Sequence, residues 1–227
     1  MPSSLAQLHT EVTECDRCDR LRGYCLDVAR EKRRQFRDWN YWGRPVPGFG
    51  DPKARLWIIG LAPAAHGANR TGRVFTGDRS GDFLYAALHR ASFANQGTSV
   101  ARDDGLKLRD CFISATARCA PPGNKPSPEE VNNCAAFLDC EWSLLKRKRA
   151  ILALGKIAWD ASLALARRNK CIIPKPAPAF GHGARFMLQP NLWLLGSYHV
   201  SQQNTFTGKL TTNMFDELLS EVSDVMR

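Results

Sequence analysis

The chain has 227 residues, 44% of them hydrophobic, and its 32 Lys and Arg against 22 Asp and Glu give a net charge of +10. That length suits one sizeable α/β domain with a small extension and leaves little room for two full domains. No apolar run is long enough to span a membrane and Met1–Thr10 lacks the apolar centre of a secretory signal, so the expected protein is soluble, intracellular and monomeric, with a charge that favours a polyanionic partner, nucleic acid ahead of an anionic membrane.

In chain order, residues 1–50 read as a helical extension: Leu5, Leu8 and Val12, then Leu21, Tyr24 and Val28, carry helical spacing, and Arg30–Arg37 is a basic, exposed face. The turn-rich run Gly43–Pro52 closes it, and an α/β core over 51–227 follows. Apolar strands are expected at Leu56–Ile59, Cys111–Ala115, Ala150–Leu154 and Leu192–Leu195, with Phe186–Leu188 as a possible short fifth. Amphipathic helices are expected at Asp82–Ala91, from Ser127-Pro128-Glu129-Glu130 to about Lys148, over Lys156–Arg168 and from about Leu210 onward. This β-α-β-α order predicts a mostly parallel sheet covered on both faces. The cluster Lys146–Arg149 at a helix end reads equally as a nucleic-acid contact or as a dipole-compensating terminus.

Polar loops follow three of the strands: Gly60–Asp78, Arg118–Ser127 and Gly196–Gly208. In a parallel sheet all three gather beyond the carboxyl ends of the strands, where α/β folds bind ligands. The first loop holds Gly60, Leu61 and Ala62, then His66, Arg70, Arg73, Phe75 and Asp78 among glycines, more chemistry than a connector needs, although a solvated loop is the plainer alternative. It is a poor phosphate loop, because Arg73-Val74 stands where Lys and Ser or Thr are required. Gly181-His182-Gly183 is either a turn or a second wall of the site.

Eight cysteines in an intracellular chain point to metal or redox chemistry rather than a disulfide framework. Cys15 and Cys18 form a C-x2-C pair, and Cys119 and Cys134 a second pair, so together they offer four thiolates to a [4Fe-4S] cluster or to zinc. Cys140 competes for the fourth position, while Cys25, Cys111 and Cys171 sit in apolar or helical company.

With these residues in view, the chain resembles the family 5 (B-type) uracil-DNA glycosylases, the iron–sulfur branch of their superfamily. The likeness rests on Gly60–Arg73 followed by Phe75-Thr76-Gly77-Asp78, on Arg118-Cys119-Ala120-Pro121-Pro122 with Asn124-Lys125-Pro126, on Ser197-Tyr198-His199-Val200-Ser201, and on the cysteine spacing. It implies a single domain over 1–227 with a three-layer α/β/α architecture, a four-stranded sheet, and an extension pinned by a structural [4Fe-4S] cluster on Cys15, Cys18, Cys119 and Cys134. It further implies removal of deaminated bases from DNA in a prokaryotic cytoplasm, with Asp78, Asn124 and His199 in the active site and Phe75 stacking on the flipped base. Where the related family 4 reads uracil with an Asn, this chain has Ala115, which implies a broader substrate range, hypoxanthine included.

The chemistry fits the residue types. A carboxylate beneath the sugar can stabilise an oxocarbenium-like state or activate water, the role assigned to Asp78, and donors from His199 and the Gly60-Leu61-Ala62 backbone can meet the departing base. Gln202, Gln203 and Asn204 are placed to fill the gap the flipped base leaves. Asp78 also reads as a helix N-cap, Asn124 as a turn residue, and Arg17, Arg20 and Arg22 as phosphate contacts. The competing readings are a non-catalytic nucleic-acid-binding protein stapled by zinc, which leaves the converging loops unexplained, and an iron–sulfur redox or nucleotide-phosphate enzyme, for which no fingerprint is present.

Overall fold

The computed structural model describes residues 2–227. In chain order the elements are α1 (Leu5–Thr13), α2 (Asp19–Glu31), β1 (Phe49–Gly50), β2 (Leu56–Gly60), α3 (Ala68–Thr71), α4 (Arg79–Arg90) and β3 (Cys111–Ala115). They continue with α5 (Pro128–Leu144), β4 (Ala150–Leu154), α6 (Lys156–Arg168), β5 (Arg185–Gln189), β6 (Leu192–Ser197), α7 (Gln202–Phe206) and α8 (Thr212–Val225).

The sheet runs β1-β3-β2-β4-β6-β5 and has six strands rather than the expected four. The four expected strands form its parallel centre, β3-β2-β4-β6. Each flank carries an antiparallel edge: β1 pairs Phe49 with Ile113, and β5, the possible fifth strand at Phe186–Leu188, pairs with β6 through a bulge between Met187 and Gln189. The extra strands carry weak sequence signals for physical reasons. β1 is two residues long inside a Pro- and Gly-rich turn, and β5 is solvated along much of its length, with only Leu188 buried.

Alternate residues of the central strands face opposite layers, as a period of two requires. Leu56 and Ile58 pack with Leu84, Leu88, Phe215 and Leu218 of α4 and α8, whereas Trp57 and Ile59 pack with Leu138, Trp159 and Leu163 of α5 and α6. The buried Trp57 indole donates to Ser114 Oγ at 2.9 Å, so its polar handle is satisfied. A buried ion pair, Arg118 with Glu141 at 2.7 Å, ties the exit of β3 to α5.

Helix α5 begins with the expected capping box of Ser127 and Glu130. It ends at Leu144, short of Lys148, because Lys148 folds back and donates to the carbonyls of Trp142 and Leu145 at 2.6 and 3.3 Å. That terminal-capping role settles how Lys148 is used, and burial lowers its pKa to about 8.

The extension lies on the core. Leu8 and Val12 of α1 pack on Phe137 of α5. Each of Arg17, Arg20 and Arg22 has a partner in the protein: Arg17 donates to Asn133 O at 2.8 Å, Arg20 forms a two-pronged pair with Glu130, and Arg22 donates to Gly43 O at 3.1 Å. These bonds help hold the extension in place, while Arg17 and Arg20 stay exposed. Past α2 the chain crosses to the β2–α4 loop as a strap: the N–H of Trp42 donates to Arg70 O at 2.9 Å and that of Gly43 to Asn69 O at 3.0 Å.

Candidate active site

A cleft of about 1020 Å³ opens beyond the carboxyl ends of the parallel strands and draws on all three loops that the sequence singles out. Leu61, Ala62, Phe75, Asp78, Asn124, His199, Gln202, Gln203 and Asn204 border it. Gly60 and Ala115 do not line it; they are register partners at the ends of β2 and β3. Gly60 lies beneath the floor, where the Phe75 ring covers it so closely that a Cβ would meet ring carbons at 2.7 and 2.8 Å, and its partner Ala115 is buried beside it.

Asp78 is both cap and cleft carboxylate. As the N-cap of α4 it accepts the Gly81 N–H at 3.0 Å. Burial pushes its pKa up, the backbone N–H groups of Gly81 and Ser80 pull it down, Asp82 raises it and Arg70 lowers it, with burial dominant. Phe75, three residues before, has φ +50°, a strained left-handed conformation for an aromatic residue. Two contacts hold it there: its ring on Gly60, and its carbonyl against the Cα of Gly81, where a Cβ would stand 1.8 Å away.

His199 faces Phe75 with ring centroids 6.5 Å apart at 39°. Burial lowers its pKa, so the imidazole is neutral at physiological pH and offers one N–H and one lone pair. Gly155 packs beneath its side chain at φ +95°, where a Cβ would stand 3.3 Å from the His199 Cβ, and the His199 carbonyl accepts from Asn204 Nδ2 at 2.8 Å. The Asn204 amide is therefore committed to shaping the loop, while Gln202 and Gln203 stand exposed at the lip. Asn124 is exposed on the opposite rim, in the turn Pro122–Asn124, with φ +57°. The turn that offers Leu61 and Ala62 is fixed by bonds from Thr116 N and Oγ1 to Gly60 O (2.9 and 2.8 Å) and from Ala117 N to Leu61 O (2.9 Å).

Several readings change. Arg70 and Arg73 are buried supports, each 3% exposed, and neither lines the cleft. Arg73 is bound by Asp104 and Thr76, and the partnership holds the Asp104 carboxyl down at about 2. His182 is a turn residue behind the site: its Nδ1 accepts from Tyr198 N at 3.3 Å and its ring lies 5.2 Å from that of Tyr198.

Other cleft residues escape sequence reasoning. Arg33, Gln35 and Phe36 of the strap form one wall, beside the expected loop residue His66, which Tyr41 Oη holds at 2.9 Å from Nδ1. The available signal is the recurrence of aromatics, Phe36, Trp39, Tyr41 and Trp42, inside a stretch otherwise read as a solvated basic face. At the lip, Phe206 is 66% exposed with the Arg79 guanidinium 5.3 Å from its ring centre.

The cysteines are all free thiols. Cys15 follows α1, Cys18 caps α2, Cys119 follows β3 and Cys134 lies in α5. Cys15 packs against the apolar group that holds Cys134, and Cys18 against the one that holds Cys119. Burial, chiefly, pushes the Cys134 thiol up to about 11, with the Arg118 backbone N–H and guanidinium opposing. Cys140 packs against the same apolar group as Cys15 and Cys134, and burial, with Glu11 and Asp139 adding to it, raises its pKa. Cys25 is buried in the same cluster as Cys119 and Ala120, and its thiol donates to Ala120 O at 3.6 Å. Among the described residues, no three His, Cys, Asp or Glu side chains converge on a single ion.

Comparison with known proteins adds to this geometry. A model of the uracil DNA glycosylase superfamily matches residues 47–223. A type-5 uracil-DNA glycosylase of Mycobacterium tuberculosis is 52% identical over 219 residues, covering 96% of this chain and 80% of the relative. One from Thermus thermophilus is 50% identical over 210 residues (92% and 93%), and a type-4 uracil-DNA glycosylase of Pyrobaculum aerophilum is 31% identical over 166 residues (73% and 67%).

Proposed function

The chain belongs to the uracil DNA glycosylase superfamily, and from that membership we infer that it is a DNA repair glycosylase that releases uracil from DNA by hydrolysing its N-glycosyl bond. The observation that carries the reading to particular atoms is the meeting of a partly buried carboxylate, Asp78, with Phe75 and His199 in one cleft.

The nucleotide leaves the base stack, which costs a few kcal/mol, and the uracil packs against Phe75. The C1′–N1 bond breaks with its electron pair passing to the base, leaving positive charge on the sugar. Asp78 faces that charge and takes a proton from the water whose oxygen bonds to C1′. A neutral His199 donates to the uracil oxygen on which negative charge grows, a contact of the kind worth about 3 kcal/mol, and the departing base then takes up a proton. Asn124 on the opposite rim contacts the substrate or its water, and Gln202 and Gln203 fill the gap left in the stack.

The donor set of four thiols, two of them buried, fits a [4Fe-4S] cluster held by Cys15, Cys18, Cys119 and Cys134. Such a cluster supplies a cross-link between the extension and the core and takes no part in the hydrolysis. A wider base range, with hypoxanthine among the substrates, is supported by Ala115, which offers no amide beside Gly60 to select uracil. The same reading has it act as a monomer on the DNA of a prokaryotic cytoplasm.

The deciding experiment is an end-labelled oligonucleotide carrying one uracil, incubated in single- and double-stranded form and then cleaved with alkali. Scission at the uracil that Asp78→Ala abolishes is the expected result; DNA binding without base release refutes the enzymatic reading.

A further inference from the structure

Arg70 is 3% exposed and, among the described residues, makes no salt bridge. Its guanidinium sits in the corner made by two rings of the strap, which lie 6.3 Å apart at 80°, with Cζ 3.9 Å from the Phe36 centroid and 4.1 Å from that of Trp39. Its Nε donates to His66 O and its Nη2 to Gly77 O, both at 2.8 Å. One rigid fork thus ties together the two ends of the segment that leads into Asp78, and Gly77, at φ +80°, is the residue type that lets Nη2 approach: a Cβ would stand 2.3 Å from it.

We propose that Arg70 is a positioning residue for the Asp78 carboxylate, and that residues 33–43 of the extension act as its clamp and so belong to the catalytic apparatus. A buried cation without an ion-pair partner is costly, and burial accordingly lowers its own pKa; the two rings offset part of that cost through their negative faces. Its charge also favours the ionised form of Asp78 across space. The other charged or titratable groups bordering Asp78 are Asp82 and Arg79 on α4 and His66 and His199 across the cleft. Three further contacts bind the clamp to the same loop: Tyr41 Oη to His66 Nδ1, Trp42 N to Arg70 O, and the Trp42 ring against Gly72, where a Cβ would meet it at 2.8 Å.

The inference rests on the glycosylase reading, and one set of assays separates the two. Single-turnover uracil release is measured beside affinity for an uncleavable 2′-fluorodeoxyuridine oligonucleotide. Arg70→Gln is expected to lower the rate about 10- to 100-fold with affinity unchanged within about twofold, and to move the acid limb of the rate profile to higher pH. Guanidinium ion added at millimolar concentration should restore part of the rate of Arg70→Gly. Trp39 does not line the cleft, so Trp39→Leu should slow release by about 5- to 10-fold without weakening binding, with Trp39→Phe restoring most of it. Rates within twofold of wild type in Arg70→Gln and Trp39→Leu overturn the proposal, as do losses matched by equal losses of affinity. If the Arg70 variants fail to fold, the Trp39 pair decides. Absence of uracil release by the wild-type protein overturns the reading beneath it instead.

Discussion

The Asp78 carboxylate rests on the bare backbone of Gly67: a Cβ at position 67 would stand 1.9 Å from Oδ2. Only hydrogen at that position leaves the carboxylate where it caps α4 and faces the cleft. Gly67→Ala should therefore displace Asp78 and reduce single-turnover uracil release about 100-fold, with a stability loss of about 1–3 kcal/mol from overpacking, read by denaturant melts.

The dominance of burial in the Asp78 environment fixes the sign of two pH effects. Uracil release requires the carboxylate form, so the rate should fall on acidification at a pH above the ordinary carboxylate range. Because its folded pKa is raised, the folded state holds the proton more tightly than the unfolded state, and stability falls as pH rises from the unfolded to the folded pKa. Asp78→Asn, which preserves an N-cap, should abolish most activity and yet raise the melting temperature at neutral pH, a gain that disappears in acid.

His199 should act as a neutral donor. Since burial lowers its pKa, no inflection from its titration is expected in the rate between pH 7 and 8, whereas His199→Ala should cost about 100-fold in the chemical step. Rapid-quench measurements across that pH range check both statements.

If the four thiols hold an iron–sulfur cluster, protein purified without air should be brown. Cys134→Ala should lose the visible absorbance, and Cys140→Ala, outside the proposed ligand set, should keep it. Oxidative bleaching should lower the melting temperature, because the link between the extension and the core goes with it.

Ala115→Asn should narrow the range of bases by placing an amide beside Gly60. The ratio of uracil to hypoxanthine release is the measurement, and an increase of about tenfold or more is expected.

Much of the fold is legible in the sequence where local physics and tertiary packing agree. The parallel strands are continuous apolar runs because both faces are covered, and Ser127-Pro128-Glu129-Glu130 announces α5 through its capping box. Legibility fails where a residue's environment contradicts its type. Arg70 and Arg73 look like cleft groups but lie buried on carbonyls, rings and Asp104. The strap is hidden for a related reason: its aromatics are spaced by charged residues that point to solvent, so no period reveals the face that clamps Arg70.

The two outer strands carry one more consequence. A sheet edge offers unpaired N–H and C=O groups on which another molecule can polymerise. Here one edge is a mere two-residue stub and the other bears the exposed Arg185 and Gln189 and is kinked by a bulge. Neither presents a straight, apolar ribbon to a neighbour, so the sheet ends within its own chain and resists fibrillar stacking even when many copies crowd onto the same nucleic acid.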